Sequence, residues 1–202
     1  MTSPALVLLE FDSVAAGILA GDAMAKRSPL DTLHAGTVQP GKYLVLAGGT
    51  VADVQEAHAA GAEIAREALV DELFLPDVHP DVVDALTGAS RGATGDAVGV
   101  IEASTVAATI SAADAAVKGA LVTLIDVHLA DGLGGKGYLL LGGEVSDIQA
   151  GVDLGVSRLT RAGELVGSVV IPQMHDEMYQ NLKGDQRFGE RIRRTAAVAG
   201  GT

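Results

Sequence analysis

Two α+β domains of one kind, joined end to end, are the architecture this sequence predicts. Three observations carry it. The chain is written twice, since "ALVLLEFDSVAAGILAGDAMAK" (5–26) aligns without a gap on "AVGVIEASTVAATISAADAAVK" (97–118) with ten identical positions. Further matches keep the same order, "GGTVADVQ" (48–55) with "GGEVSDIQ" (142–149) and "LPDVH" (75–79) with "IPQMH" (171–175). Each copy also alternates short apolar runs of strand length with Ala-rich segments of helical period. The offset between copies grows from 92 to 94 to 96, so the second carries two small insertions, the first around "LADGLGGKGY" (129–138).

The elements follow in order within each copy. "ALVLLEF" and "AVGVIEA" predict a buried strand. Asp12 or Ser13, and Ser104 or Thr105, can cap the helix that comes next. In that helix Val106, Ile110, Ala113 and Val117 recur at helical spacing and form one apolar stripe, with alanines that permit close packing on a sheet. "LDTLHAG" to "KYLVLAG", and "LVTLIDVHL" to "GYLLLGG", read as hairpins closed by glycine-containing loops. A second helix is predicted at about 51–67 and 145–161, then a strand ending at Pro76 or Pro172, then a short helix. The order β-α-β-β-α-β plus a terminal helix is a ferredoxin-like split βαβ. Domain boundaries fall at 1–88 and 97–182, with a Gly/Ala/Ser/Thr linker at 89–96 and a basic tail at 183–202. In that tail Lys183, Arg187, Arg191, Arg193 and Arg194 outnumber Asp185 and Glu190, a pattern read as a solvated helix and frayed end.

Composition narrows the function. At 202 residues, 48% apolar and mean hydropathy +0.32, the chain can bury a substantial core. It has no Cys, which excludes disulfides, thiolate metal sites and cysteine-held iron–sulfur clusters and is consistent with cytoplasm. The start has no basic segment followed by an apolar one, and no run approaches the roughly 20 apolar residues of a membrane span, so a soluble, unexported protein without a membrane partner is expected. A net charge of −12 argues against nucleic acid, which needs clustered Lys and Arg.

Catalytic motifs fail on context. In "GLGGKGY" Gly137 stands where a phosphate-binding loop needs Ser or Thr, and a strand follows rather than a helix. His34, His58, His79, His128 and His175 lack metal-ligand spacing; the duplicated His79 and His175 point to hydrogen bonding near the start of the last helix. Glu10 and Glu102, duplicated at a strand end, read as buried, hydrogen-bonded carboxylates rather than general bases. No nucleophile accompanies them, so no enzyme, no metal and no cofactor are expected.

The strand ending in Glu, the helix with "AADAAVK", the glycine-containing hairpin, "GGEVSDIQAGVDLG" and "VIP…H" together resemble the bacterial microcompartment (BMC) shell-protein domain. The likeness spans 5–182 in two unpermuted copies and is similar to the tandem-domain shell proteins. That resemblance implies a homotrimer imitating the hexamers of single-domain relatives, set beside other shell proteins in a microcompartment shell in the cytoplasm. It implies that the hairpin tips line a central pore, here Gln39, Pro40, Gly41 and Lys42 from copy one and Asp131, Gly132, Leu133, Gly134, Gly135 and Lys136 from copy two. Small polar metabolites or cofactors would pass transiently, and the iron–sulfur cluster held by cysteine in some tandem relatives is excluded. It also implies that Lys26 and Lys118, which end the first helix, serve tile-edge assembly. Many members carry Arg just after the last strand's proline; here Asp77 and Gln173 stand there. The alternative is a soluble ferredoxin-like trimer that regulates or binds a small molecule in clefts between subunits.

Overall fold

The computed structural model describes residues 5–88, 95 and 97–182. The linker predicted at 89–96, Gly95 apart, and the basic tail predicted at 183–202 lie outside the described residues. The first half runs β1 (Ala5–Phe11), α1 (Val14–Arg27), β2 (Thr32–Val38), β3 (Lys42–Gly49), α2 (Val51–Ile64), a 3-10 turn (Arg66–Ala68), β4 (Leu69–Leu75) and α3 (Pro80–Leu86). The second runs β5 (Ala97–Ala103), α4 (Val106–Gly119), β6 (Thr123–Leu129), β7 (Gly137–Gly143), α5 (Val145–Ser157), β8 (Leu165–Ile171) and α6 (Asp176–Leu182). Each half forms an antiparallel sheet, β2-β3-β1-β4 and β6-β7-β5-β8, the arrangement the repeated element order requires.

Local chemistry sets the boundaries. Ser13 Oγ accepts the Ala16 N–H at 3.3 Å and Thr105 Oγ1 accepts that of Ala108 at 3.1 Å, so of each pair of candidates the residue adjoining the helix is the cap. The second helix of each half is shorter than predicted, ending at Ile64 and Ser157. At Ala65 the backbone leaves helical geometry (φ −125°, ψ 26°), and the remaining residues form the 3-10 turn that feeds β4.

Both insertions become visible in the register. Val38 pairs with Lys42 across the first hairpin, whereas in the second Ala130 N–H donates to the Lys136 carbonyl at 2.8 Å, so five tip residues replace three. The other insertion enlarges the link between α5 and β8, residues 158–164.

Helices α1 and α2 cover one face of the first sheet, where Val7, Leu9 and Phe11 pack with Ala20, Met24, Val54 and Ala57. A Cβ at Gly61 would lie 2.7 Å from Met24 Cγ and 2.8 Å from Leu9 Cδ1, so this crossing admits hydrogen alone. Leu6 and Leu8, with Leu73 and Leu75, point to the opposite face and join a second core built with α4. The single apolar stripe predicted for α4 is therefore too narrow. Val106, Ala107, Ile110, Ala112, Ala113 and Ala116 are all buried, because the helix lies between its own sheet and that of the other half.

Candidate functional site

The two hairpin tips singled out by sequence come together. Gln39, Pro40 and Gly41 join β2 to β3, and a Cβ built on Gly135 of the second tip would lie 2.9 Å from Pro40 Cδ and 3.1 Å from the Gln39 carbonyl oxygen. The longer tip is a turn within a turn: Leu133 N–H donates to the Ala130 carbonyl at 3.0 Å, and Gly132, Gly134 and Gly135 have φ of 76°, 65° and 87°. These left-handed angles explain the glycines without a bound phosphate.

Lys42 and Lys136 turn back onto the strands. Lys42 Nζ lies 2.6 Å from Glu10 Oε1 and Lys136 Nζ lies 2.6 Å from Glu102 Oε1. Sequence reasoning named all four residues but not the pairs. The repeat held the signal, since Glu recurs at offset 92 and Lys at 94, and the β1–β3 and β5–β7 registers place them on one face. The expectation of a buried carboxylate holds for Glu10, which is fully buried, and fails for Glu102, whose side chain is 36% exposed. The difference is the neighbour: Glu10 Oε2 also accepts the Val106 N–H at 3.1 Å, capping α4 of the other half, and Glu102 has no such helix against it.

Beside Glu10 sits a polar clasp that sequence reasoning missed. The carboxylate of Asp71, on β4, accepts from the hydroxyl of Thr105 and from the guanidinium of Arg161. Arg161 also donates to Glu164 Oε1 at 2.6 Å. Hydrogen bonding to Asp71 raises the Arg161 pKa further. Arg161 and Glu164 lie in the enlarged α5–β8 link, so that insertion was the available signal.

At the far end of α4, Asp114 Oδ1 accepts the His79 N–H at 2.8 Å. Lys118 Nζ reaches Asp114 Oδ2 at 2.7 Å and the Asp77 carbonyl, leaving its side chain 37% exposed. Lys26 makes the same bond within its helix, to Asp22 at 2.5 Å, with its side chain 75% exposed. His79 and His175 do what their duplication suggested, each accepting through Nδ1 from a backbone N–H of the last helix of its half, Asp81 at 3.2 Å and Glu177 at 3.3 Å.

One cluster has no counterpart in the first half. His128 stacks on Tyr138 at 4.7 Å between centroids, and its Nε2 lies 2.8 Å from Asp126 Oδ2, close but without hydrogen-bond direction. Burial pushes Asp126 up, yet His128 and the Val127 N–H outweigh it and hold the carboxyl below its ordinary value. Burial, reinforced by Asp126, pushes Tyr138 up to about 12. Among the described residues no group of three or more His, Cys, Asp or Glu is placed to hold a metal ion, and no helix is long and apolar enough to cross a membrane.

The family comparisons agree with this geometry. The BMC domain matches twice, at residues 5–78 and 97–174. The bacterial microcompartment shell protein PduT of Citrobacter freundii is 42% identical over 180 residues, 89% of this chain and 98% of its own. The crystal structure of a microcompartments protein from Desulfitobacterium hafniense DCB superposes with TM-score 0.77 at 40% identity, covering 87% of this chain and 98% of that one. At 16% identity and TM-score 0.55, the fused permuted hexameric shell protein MSM0275 from the RMM microcompartment shares the fold, over 76% of this chain and 80% of that one. With two copies of the domain in one chain, in the order β-α-β-β-α-β, the protein belongs to the BMC family as a tandem-domain microcompartment shell protein.

Proposed function

We propose that this shell protein forms a homotrimeric, pseudo-hexagonal tile with a central pore. One observation carries the reading: the chain contains a buried contact and, unpartnered, both surfaces needed to make it again. Ile110 of α4 is 1% exposed against the first sheet, while Ile18, its repeat on α1, is 54% exposed. Leu73 on β4 is 8% exposed, while Val169, its repeat on β8, is 48% exposed. A contact whose two surfaces differ generates a ring when the rotation closes, and six domains around an axis need three chains.

Such a ring would gather the hairpin tips, already adjacent in one chain, around the axis: Gln39, Pro40, Gly41 and Lys42 alternating with Asp131, Gly132, Leu133, Gly134, Gly135 and Lys136. Because Glu10 and Glu102 meet the charges of the two lysines, Asp131 is the tip charge without an ion-pair partner among the described residues. Three chains at −12 each would carry −36, so the opening would favour neutral and cationic small polar molecules over anions. Permeation of this kind makes and breaks no bond, and no enzymatic role is proposed. Lys26 and Lys118, at helix ends and partly exposed, would meet neighbouring tiles.

The competing reading, a trimer that binds a small molecule, is favoured by a groove of about 540 Å³ beside α3 that includes Leu6, His34, Leu46, Val83 and Leu86. Its lining is mostly apolar, with His34, Thr32 and Thr87 as the polar side chains and the Thr87 hydroxyl already bonded to α3 carbonyls, a poor basis for specific recognition. Light scattering of the purified protein should give the mass of three chains, and electron microscopy should show flat sheets or tubes. Lys26→Ala with Lys118→Ala should weaken sheets while the trimer persists; discrete trimers that never assemble would overturn the tile.

A further inference from the structure

We infer that Glu102 of one chain caps helix α1 of the next, so that the contact between subunits is latched by the same carboxylate-to-helix bond that joins the two halves within a chain. The inference rests on the trimer reading and names its polar contact. Within the chain, fully buried Glu10 divides its oxygens, Oε1 toward Lys42 at 2.6 Å and Oε2 toward the N–H of Val106, the first residue of α4, at 3.1 Å. Glu102 is prepared in the same way: Oε1 is held by Lys136 at 2.6 Å, and Oε2 has no partner among the described residues.

The complementary donor is also present. Val14 begins α1 as Val106 begins α4, and among the described residues its N–H has no acceptor, the cap Ser13 being used by Ala16. A carboxylate at this end of a helix meets both the open N–H groups and the positive end of the helix dipole. Val14, Ile18, Asp22 and Ala25 form an exposed stripe on α1 that repeats Val106, Ile110, Asp114 and Val117, all buried on α4.

The receiving face repeats as well. Val98, Val100, Glu102, Val169 and Ile171 take the sheet positions of Leu6, Leu8, Glu10, Leu73 and Leu75. Docked in this register, Asp22 would accept the neighbour's His175 N–H as Asp114 accepts that of His79. The occupant is thus a second copy of this chain, since the face complements α1 in apolar pattern, charge and register.

The test is a dilution series of the full chain by analytical ultracentrifugation. Glu102→Ala should raise the trimer dissociation constant well over about tenfold, since one charge-assisted hydrogen bond is lost at each of the three subunit contacts, and Glu102→Gln, which keeps an acceptor, should fall between. Val14→Pro removes the donor at the first helical position, where proline fits and where the extended backbone of Ser13 (φ −124°, ψ 122°) accepts it. It should weaken the trimer comparably, and the double variant should be no weaker than the worse single one. A wild-type protein that is not a trimer would overturn the trimer reading itself. A wild-type trimer whose dissociation is unmoved by Glu102→Ala and Val14→Pro, or in which their effects simply add, would overturn the latch alone.

Discussion

The outer face of the first sheet is closed and that of the second is open, although the two sheets share strand order and nearly the same register. Leu6, Leu8, Leu73 and Leu75 lie under α4 and α3, while Val169, which repeats Leu73, meets solvent at 48% exposure. The repeated patches differ because one has its covering helix on the same chain. Tethering makes the partner's effective concentration high, so the intrachain contact forms without a second molecule. The closed face also has a polar clasp that the open one lacks, since Gly167 takes the place of Asp71 and Ser13 that of Thr105. A ring built from both contacts should therefore come apart between chains before it comes apart within them.

The largest effect expected is at Glu10. Glu10→Ala leaves Lys42, 18% exposed, without its carboxylate and the Val106 N–H of α4 without its acceptor, and should cost about 3–5 kcal/mol in urea unfolding of the dissociated chain. Glu102→Ala in the same assay should cost less than about 1 kcal/mol, as exposed pairs do; equal losses would break the comparison. Ile110→Ala comes next, about 2–5 kcal/mol for a cavity between the halves, against about 0.5 kcal/mol or less for Ile18→Ala in the dissociated chain.

Asp71→Ala should cost about 1.5–3 kcal/mol, because it strips the acceptor from Arg161 and Thr105. An unchanged unfolding midpoint would mean that the clasp orders the contact without strengthening it. The smallest effect is alkaline. Tyr138 is held neutral in the folded chain, so its contribution is complete below its unfolded pKa near 10 and is lost as pH rises through about 12. Melting temperature measured across that window should fall less steeply for Tyr138→Phe than for the wild type.

Much of the fold was legible because duplication tests every local reading twice. The strand ending in Glu, the hydroxyl cap and the glycine hairpin each occur at matched positions, and the structure confirms all three pairs. Helix ends after α2 and α5 were not legible, since the apolar residues Ala65 and Ala68 continue in composition while the backbone does not. The hairpin-tip residues were singled out through resemblance. The ion pairs that restrain their lysines were not, because Glu10 and Lys42 stand 32 residues apart and meet only through strand register.

By itself the sequence determined the two-copy α+β architecture, a pair of candidate caps for each first helix, the presence of two insertions with the site of the first, and the absence of any thiol or phosphate-loop chemistry. These follow from period, spacing and residue type, which act locally. Only the tertiary structure decided that α4 is buried on two sides, that Glu10 is sealed while Glu102 stays open, and that Asp71 finds Arg161 ninety residues away. Two nearly identical segments met different surroundings, and burial belongs to the surroundings: what covers a face is a property of the assembled chain, not of the face.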